Sequence, residues 1–339
     1  MKGLYAIGID LAKTSFHVYG SDNKGKCLFR FKASRSVLVE KIAQIPSTKI
    51  FMESCGSSNF WARKLMSLGH KVQLISPQFV KPFLKSNKND YLDAEAIVEA
   101  GSRANMRFVA IKQTWHQDIQ TIHRIRERHI HNRTALSNQI RGILLEYGIE
   151  VRVGLQRLFN ELPVILENRS GMLSPIALVE IDELYEDLKH SFKKVEDYDK
   201  KIKLQSELNE DCKRVMKLKG VGPIIATAIV AATPDPKMYK NGRNFAAWLG
   251  VVPKQHSSGG KNTLLGISKR GDVYIRKQLI HGCRSTVYRS KPDGDDLQKW
   301  IYNLKKRKGS NKATVALANK NARLIWAILT KKEAFNFVA

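Results

Sequence analysis

The sequence predicts an α/β domain with a mixed sheet at the N-terminus, then long helices, then a mainly α C-terminal region. Three observations carry this. Over the first hundred residues, short apolar runs stop at turn residues and then alternate with helical stretches. From about 112 to 208, apolar residues recur in steps of three and four. Beyond 212, a glycine turn introduces a small-residue run and then a basic tail. The expected divisions are 1–111, 112–211 and 212–339.

Taken in order, residues 4–10 and 14–20 read as strands around the turn Leu11-Ala12-Lys13. A third strand covers 26–32, after Asp22-Asn23-Lys24-Gly25. Residues 36–45 and 58–69 are helical in pattern, whereas 49–53 and 71–75 are strands, the last ending at Ser76-Pro77. Successive strands followed by helix–strand alternation give a mixed sheet with helices packed on it. In such a sheet the ends of the strands holding Asp10 and Glu53 can be neighbours. Ile119, Ile122, Ile125, Leu136, Ile140 and Leu144 mark one long seam. Ile181, Leu184, Leu188, Phe192, Val195, Tyr198 and Ile202 mark a second, predicting an antiparallel helical pair or coiled coil. Between them, 146–176 contains Pro163, Gly171 and Pro175 and reads as short helices and loops. Val215 to Pro223 looks like a helix-hairpin-helix, whose Gly220-Val221-Gly222 turn would offer backbone N–H groups to a phosphate. Residues 254–261 read as a flexible loop and 312–330 as a final helix.

Charge narrows the partners. The 339 residues hold 58 Lys+Arg against 31 Asp+Glu, a formal net charge of +27. A polyanion is the expected ligand, with a membrane surface the weaker alternative. No apolar stretch approaches the roughly 20 residues that span a bilayer. Asp10 and Lys13 interrupt any secretory core near the start. The four cysteines are scattered with no CxxC pair, which argues against a zinc site or disulfide framework and fits a reducing cytosol. The expected location is therefore cytoplasmic and nucleoid-associated, with no membrane partner.

Against this basic background four acids stand out: Asp10, Glu53, Asp90 and Asp93. Asp10 and Glu53 end apolar runs, while Asp90 and Asp93 are three apart at a helix start and share a face. Each acid alone has a bland reading as a turn former or helix cap. Gathered together, carboxylates suit hard divalent cations, Mg²⁺ or Mn²⁺, and two cations about 3.5–4 Å apart suit phosphoryl transfer. A second constellation is the stretch Pro253 to Lys261, where Ser257 and Ser258 lie among Lys254, Lys261, Lys269 and Arg270, with Arg276 counted alongside. A serine needs a base, a metal or a field of cations to act as a nucleophile; His256 is one candidate base. Taken alone, the stretch is a surface loop. Arg124, Arg126 and Arg128 form a basic helix face suited to a nucleic-acid backbone. Lys305, Lys306 and Arg307 read the same way, with Trp300 and Tyr302 beside them able to stack on bases.

These residues together resemble a known family. Gly8-Ile9-Asp10-Leu11-Ala12-Lys13, Met52-Glu53-Ser54, Lys88-Asn89-Asp90-Tyr91-Leu92-Asp93-Ala94, the glycine turn and Ser257-Ser258-Gly259-Gly260-Lys261 occur in one order over nearly the full length. That order resembles the DEDD transposases of the insertion-sequence 110 family. Ala316 to Trp326 looks like the 1111 subgroup. The resemblance implies a RuvC-like (RNase H-like) N-terminal domain with Asp10, Glu53, Asp90 and Asp93 as a metal-binding tetrad. It implies a C-terminal serine that links covalently to DNA; distance from the loop proline favours Ser258, with Ser257 as rival. It also implies a noncoding bridge RNA pairing with donor and target DNA, and a homodimer assembling into a tetramer. Two other readings remain: a metal-only structure-specific nuclease, and a non-catalytic nucleic-acid-binding protein.

Overall fold

The computed structural model describes residues 3–84, 90–168, 170–258 and 261–332. The side chains of Asp90, Ser170, Ser258, Lys261 and Asn262 also fall outside that description. The chain forms two compact units. The first holds Met1–Trp115 with Thr233–Met238, and the second holds the remainder. The long helices and the C-terminal region, expected as separate divisions, are thus gathered into one unit.

In the first unit, β1 (Ala6–Leu11), β2 (Phe16–Ser21) and β3 (Cys27–Ala33) form an antiparallel meander. After α1 (Arg35–Ala43), β4 (Lys49–Glu53) returns parallel to β1. After α2 (Ser58–Ser67), β5 (Lys71–Ile75) adds parallel to β4. A one-turn α3 (Pro77–Val80) precedes α4 (Asp90–Gly101) and the two-residue β6 (Phe108–Val109), antiparallel to β5. The sheet order is β3-β2-β1-β4-β5-β6, a mixed sheet as the sequence predicts.

Strand alternation sorts the side chains between two faces. Ile7, Ile9, Ile50 and Met52 pack with Leu38 and Ile42 of α1 and Trp61 and Leu65 of α2. Ala6, Tyr19 and Phe51 face the other way and pack with Ala94, Ile97 and Val98 of α4. Asp10 and Glu53 have the parity of Ala6 and Phe51, so they end their strands on the α4 face.

In the second unit, α5 (Thr114–Glu146), α6 (Leu155–Asn168) and α7 (Pro175–Leu208) come first, α5 beginning just inside the first unit. Side-chain contacts between α5 and α7 run in antiparallel register. Arg126 meets Asp199 and Arg133 lies over Phe192, while Ile140 and Leu144 share a core with Ile181 and Leu188. The stretch expected as short pieces contains a 14-residue helix, α6, with Pro163 inside it. Leu158 and Leu162 hold it in the same core, and tertiary packing here outweighs the cost of an interior proline.

Next come α8 (Glu210–Met216), the glycine turn, α9 (Pro223–Ala232) and α10 (Gly242–Trp248). Gly220 takes φ +84°, and a Cβ there would lie 2.8 Å from Thr286 Oγ1, so glycine is required where the turn touches the next long helix. Then follow β7 (Pro253–Ser258), β8 (Lys261–Ile267), α11 (Val273–Tyr288), α12 (Asp296–Lys308) and α13 (Ser310–Lys331). Of the flexible loop expected at 254–261, the described residues 254–258 and 261 lie in two antiparallel strands, whose register shifts between Pro253 and Gln255. Helix α13 packs on α10, α11 and α12 through Ala313, Leu317, Ala318, Ala322 and Ile325, all fully buried.

Candidate active site

The acidic corner is built by strand parity and one close helix approach. The parallel register of β1 on β4 runs to Ile9 opposite Met52. Asp10 and Glu53 are the next residues of each strand, side by side at the carboxyl edge. Helix α4 then brings Asp93 to the same face. It can do so because position 8 is glycine: a Cβ there would lie 2.2 Å from the Ala94 carbonyl oxygen and 2.6 Å from Val98 Cγ2. The electrostatics report the result. Burial raises the pKa of Glu53 above its ordinary 4.5, and the charges of Asp10 and Asp93 raise it further. Glu53 and Asp10 also help hold the Cys55 thiol above its usual range, after burial. All three carboxylates are half-buried. Asp90 begins α4, but its side chain lies outside the described residues. Among the described residues, no three ligand-type side chains close into a ready-made metal cage.

The serines sit on the hairpin. Ser257 stands opposite Asn262 and its hydroxyl accepts a hydrogen bond from Gln255 Nε2 at 2.8 Å. Ser258 stands opposite Lys261 in backbone register, and both side chains lie outside the described residues, as do Gly259 and Gly260 entirely. His256 and Lys254 are exposed on β7; Lys269 and Arg270 are exposed just beyond β8.

Comparison with known proteins gives the family. The profile described as "Transposase IS116/IS110/IS902 family" matches residues 212–298, and a second, the IS110 DEDD-type profile described as "Transposase", matches 7–149. The "Transposase for insertion sequence element IS1111A" of Coxiella burnetii is 43% identical over 99% of this chain and 92% of its own length. A "Probable family 20 transposase" of Pseudomonas aeruginosa is 40% identical over 98% of each chain. The "Transposase for insertion sequence element IS1328" of Yersinia enterocolitica is 37% identical over 99% of this chain and 100% of its own. The chain belongs to the IS110 family of transposases. It is thereby a member of a family of DNA-recombining enzymes. Among the described residues, no helix is long and apolar enough to cross a membrane.

In this IS110-family transposase the expected phosphate-binding cations divide. Arg124 and Arg128 are exposed on α5, as are Lys306 and Arg307 on α12, while Lys305 is half-buried with its ammonium over Tyr288. Two residues are corrected by the structure. Arg126 is buried, and its Nε donates to Asp199 at 2.6 Å. Arg276 is buried, and its Nη1 donates to the Arg270 carbonyl at 2.8 Å. Both sit on buried helix stripes and act as internal ties. The sequence reading also missed His17. It stands opposite Asp10 in the β1–β2 register, is buried, and meets Tyr91 of α4 edge to face. The only signal for it was its place two strand steps after the turn that follows Asp10.

Proposed function

We propose that this transposase moves its own insertion sequence by metal-assisted strand exchange, with Asp10, Glu53, Asp90 and Asp93 holding Mg²⁺ or Mn²⁺ and Ser258 as the nucleophile. The observation that carries the reading is the convergence of Asp10 and Glu53 at adjacent strand ends with Asp93 of α4, close enough that burial and then the charges of Asp10 and Asp93 push the Glu53 pKa up. Crowded carboxylates in a basic chain are a destabilising arrangement unless a cation joins them. An all-oxygen donor set suits a hard ion over zinc. When bound, the ion supplies charge neutralisation at the phosphate oxygens.

The chain's own residues would do the rest. Ser258 Oγ attacks phosphorus, one P–O bond forms and the P–O bond to a deoxyribose oxygen breaks. The serine proton ends on that released oxygen. The resulting ester, at a 5′ or 3′ end, conserves bond energy, so attack by a second strand's hydroxyl reseals DNA and restores the serine. Lys254, Lys261, Lys269 and Arg270 would stabilise the charge on the pentacoordinate phosphorus. Ser257, engaged by Gln255, is the rival nucleophile. We further propose that a bridge RNA from the element directs donor and target choice, and that two dimers form the synapse. The exposed cations of α5 and α12 would carry the RNA. The N-terminal unit is read as RuvC-like, which its mixed sheet supports.

Adduct trapping tests this. Wild type, Ser258→Ala, Ser257→Ala and Asp10→Ala are incubated with the element's junction DNA, flanking RNA and Mg²⁺, then run on denaturing gels. A protein–DNA band absent only in Ser258→Ala among the serine variants, and weakened by Asp10→Ala or chelation, is expected. Cleavage without any adduct, indifferent to both serines, would make the protein a metal-only nuclease.

A further inference from the structure

A groove of about 1410 Å³ opens on the C-terminal unit, between the base of the β7–β8 hairpin and helix α13. Its volume exceeds the roughly 300–1,000 Å³ of ordinary small-molecule pockets, so it fits a length of polymer. Its chemistry is one-sided. Arg243, Lys312, Lys320 and Arg323 line it and are exposed, and the lining holds no carboxylate. Among the described residues, none of the four cations is ion-paired to Asp or Glu. Trp300, 37% exposed, lines the same groove, with the Lys320 ammonium 4.9 Å from its ring centre. Leu264 and Leu265, at 67% and 50% exposure, form the rim on the hairpin side.

We propose that this groove holds an unpaired strand of DNA, its bases against Trp300 and the leucine rim and its phosphates on Arg243, Lys312, Lys320 and Arg323. Four cations with no carboxylate to answer them call for a polyanion, and an aromatic ring lining the same groove calls for bases whose faces are free. A duplex keeps its base faces stacked and offers nothing to an indole set inside a groove. A protein partner would have to bring its own carboxylates to offset the four charges. The choice of DNA over RNA rests on the proposed function. The rim strand, Leu264–Ile267, is the base of the hairpin that carries Ser257 and Ser258. A strand entering here is led toward the hydroxyl that is proposed to attack it.

The test is equilibrium binding, followed by fluorescence anisotropy, of an oligothymidylate of about 12 nucleotides, within the span of single-strand grooves. A DNA duplex and an oligouridylate of equal length are measured beside it, all in chelator. Trp300→Ala is expected to weaken oligothymidylate binding about 10-fold, and Trp300→Phe to restore most of it. Each phosphate contact contributes about 0.7 to the salt slope of single-strand binding, so Arg243→Gln/Arg323→Gln should flatten it by about 1.4. Both are exposed surface changes, so the double variant tests the groove even if Trp300→Ala folds poorly. Duplex binding should change less than about 2-fold. Unchanged oligothymidylate binding in both variants overturns the proposal. So does an equal loss on duplex, or a preference for oligouridylate with the losses confined to it. The assay uses neither metal nor serine. Binding lost in the variants while their adducts still form at saturating DNA supports the groove; binding lost in the variants while wild type itself forms no adduct leaves the groove standing and sinks the serine reading alone.

Discussion

Gly8→Ala should damage catalysis as well as stability, because position 8 sets how near α4 comes to the acidic strand ends. The added methyl would sit 2.2 Å from the Ala94 carbonyl oxygen and 2.6 Å from Val98 Cγ2, where ordinary contact begins at 3.4 Å. The nearer obstacle is helix backbone, which cannot rotate aside. Helix α4 must therefore withdraw by about 1.2 Å at this point, and Asp93, one residue before Ala94, goes with it. Overpacking of this kind costs typically about 1–3 kcal/mol. Native-state hydrogen exchange at β1 amides reads that cost directly, as a loss of protection of roughly 5- to 150-fold. For catalysis, a misplacement of about 1 Å lowers rate by roughly 10²-fold. Metal-dependent DNA cleavage should fall by that factor at temperatures where the N-terminal unit remains folded. Val98→Ala added to Gly8→Ala relieves the 2.6 Å contact but not the 2.2 Å one, so the double variant should recover little. A Gly8→Ala protein with wild-type protection and cleavage would refute the link from this glycine to the position of Asp93.

Three further predictions follow from the same geometry. Because the folded-state carboxyl of Glu53 titrates above its ordinary 4.5, metal-free stability should fall as pH rises through the window just above that value. Glu53→Gln should remove this loss and also the Mg²⁺ response, which in wild type is about 1.4 kcal/mol at ten times the dissociation constant; differential scanning calorimetry with and without Mg²⁺ measures both. His123 is buried between Tyr274 Oη at 2.8 Å and Thr227 Oγ1 at 2.9 Å, and burial pushes its pKa down from 6.5 to about 4. The unfolded chain then takes up the proton first, so stability drops by about 2 kcal/mol between about pH 7 and pH 5, and His123→Gln should flatten that part of the urea-unfolding profile. Arg124→Ala and Arg128→Ala should each weaken nucleic-acid binding and reduce its salt slope, whereas Arg126→Ala should lower stability by about 1 kcal/mol, through the lost packing of its buried side chain and a pair whose Asp199 end is screened by solvent, with little change in slope; filter binding across salt, paired with thermal melts, separates the two outcomes.

Much of the acidic corner was legible because strand periodicity is short and strict. Once the apolar runs 49–53 and 71–75 are read as strands, their bounds match β4 and β5, and the parity of Phe51 fixes the face of Glu53. The meander was harder. Strands expected at 4–10, 14–20 and 26–32 lie one or two residues later, since the turn after β1 runs on to Ser15 and its residues carry no proline or glycine to mark the end. Strand β6 escaped because two residues cannot show a period; only pairing with β5 makes Phe108–Val109 a strand. The strands at 253–258 and 261–267 escaped because their described residues are mostly exposed, the adjacent Leu264 and Leu265 included, so no apolar–polar alternation marks a buried face.

The misjudged arginines show which cations bear on nucleic-acid binding. Arg126 was read as part of a basic face, yet it lies seven residues after Ile119 and three after His123, on the stripe that continues to Ile140 and Leu144. Its partner Asp199 lies four residues after buried Val195 and three before buried Ile202. Charge at a stripe position on one helix answered by opposite charge at the facing stripe is the pattern of an internal pair, and such a pair can fix register between two long helices. Arg276 repeats the lesson, between buried Ile275 and Leu279. The 58 Lys and Arg therefore overcount the cations a nucleic acid meets, although the net charge of +27 already sets Asp199 against Arg126. The cations available to it are exposed ones off the stripes, among them Arg124 and Arg128 on α5, Lys306 and Arg307 on α12, Lys254, Lys269 and Arg270 near the hairpin, and Arg243, Lys312, Lys320 and Arg323 around the groove. On that basis the salt dependence of binding should track exposed stripe-free cations and be indifferent to Arg126 and Arg276.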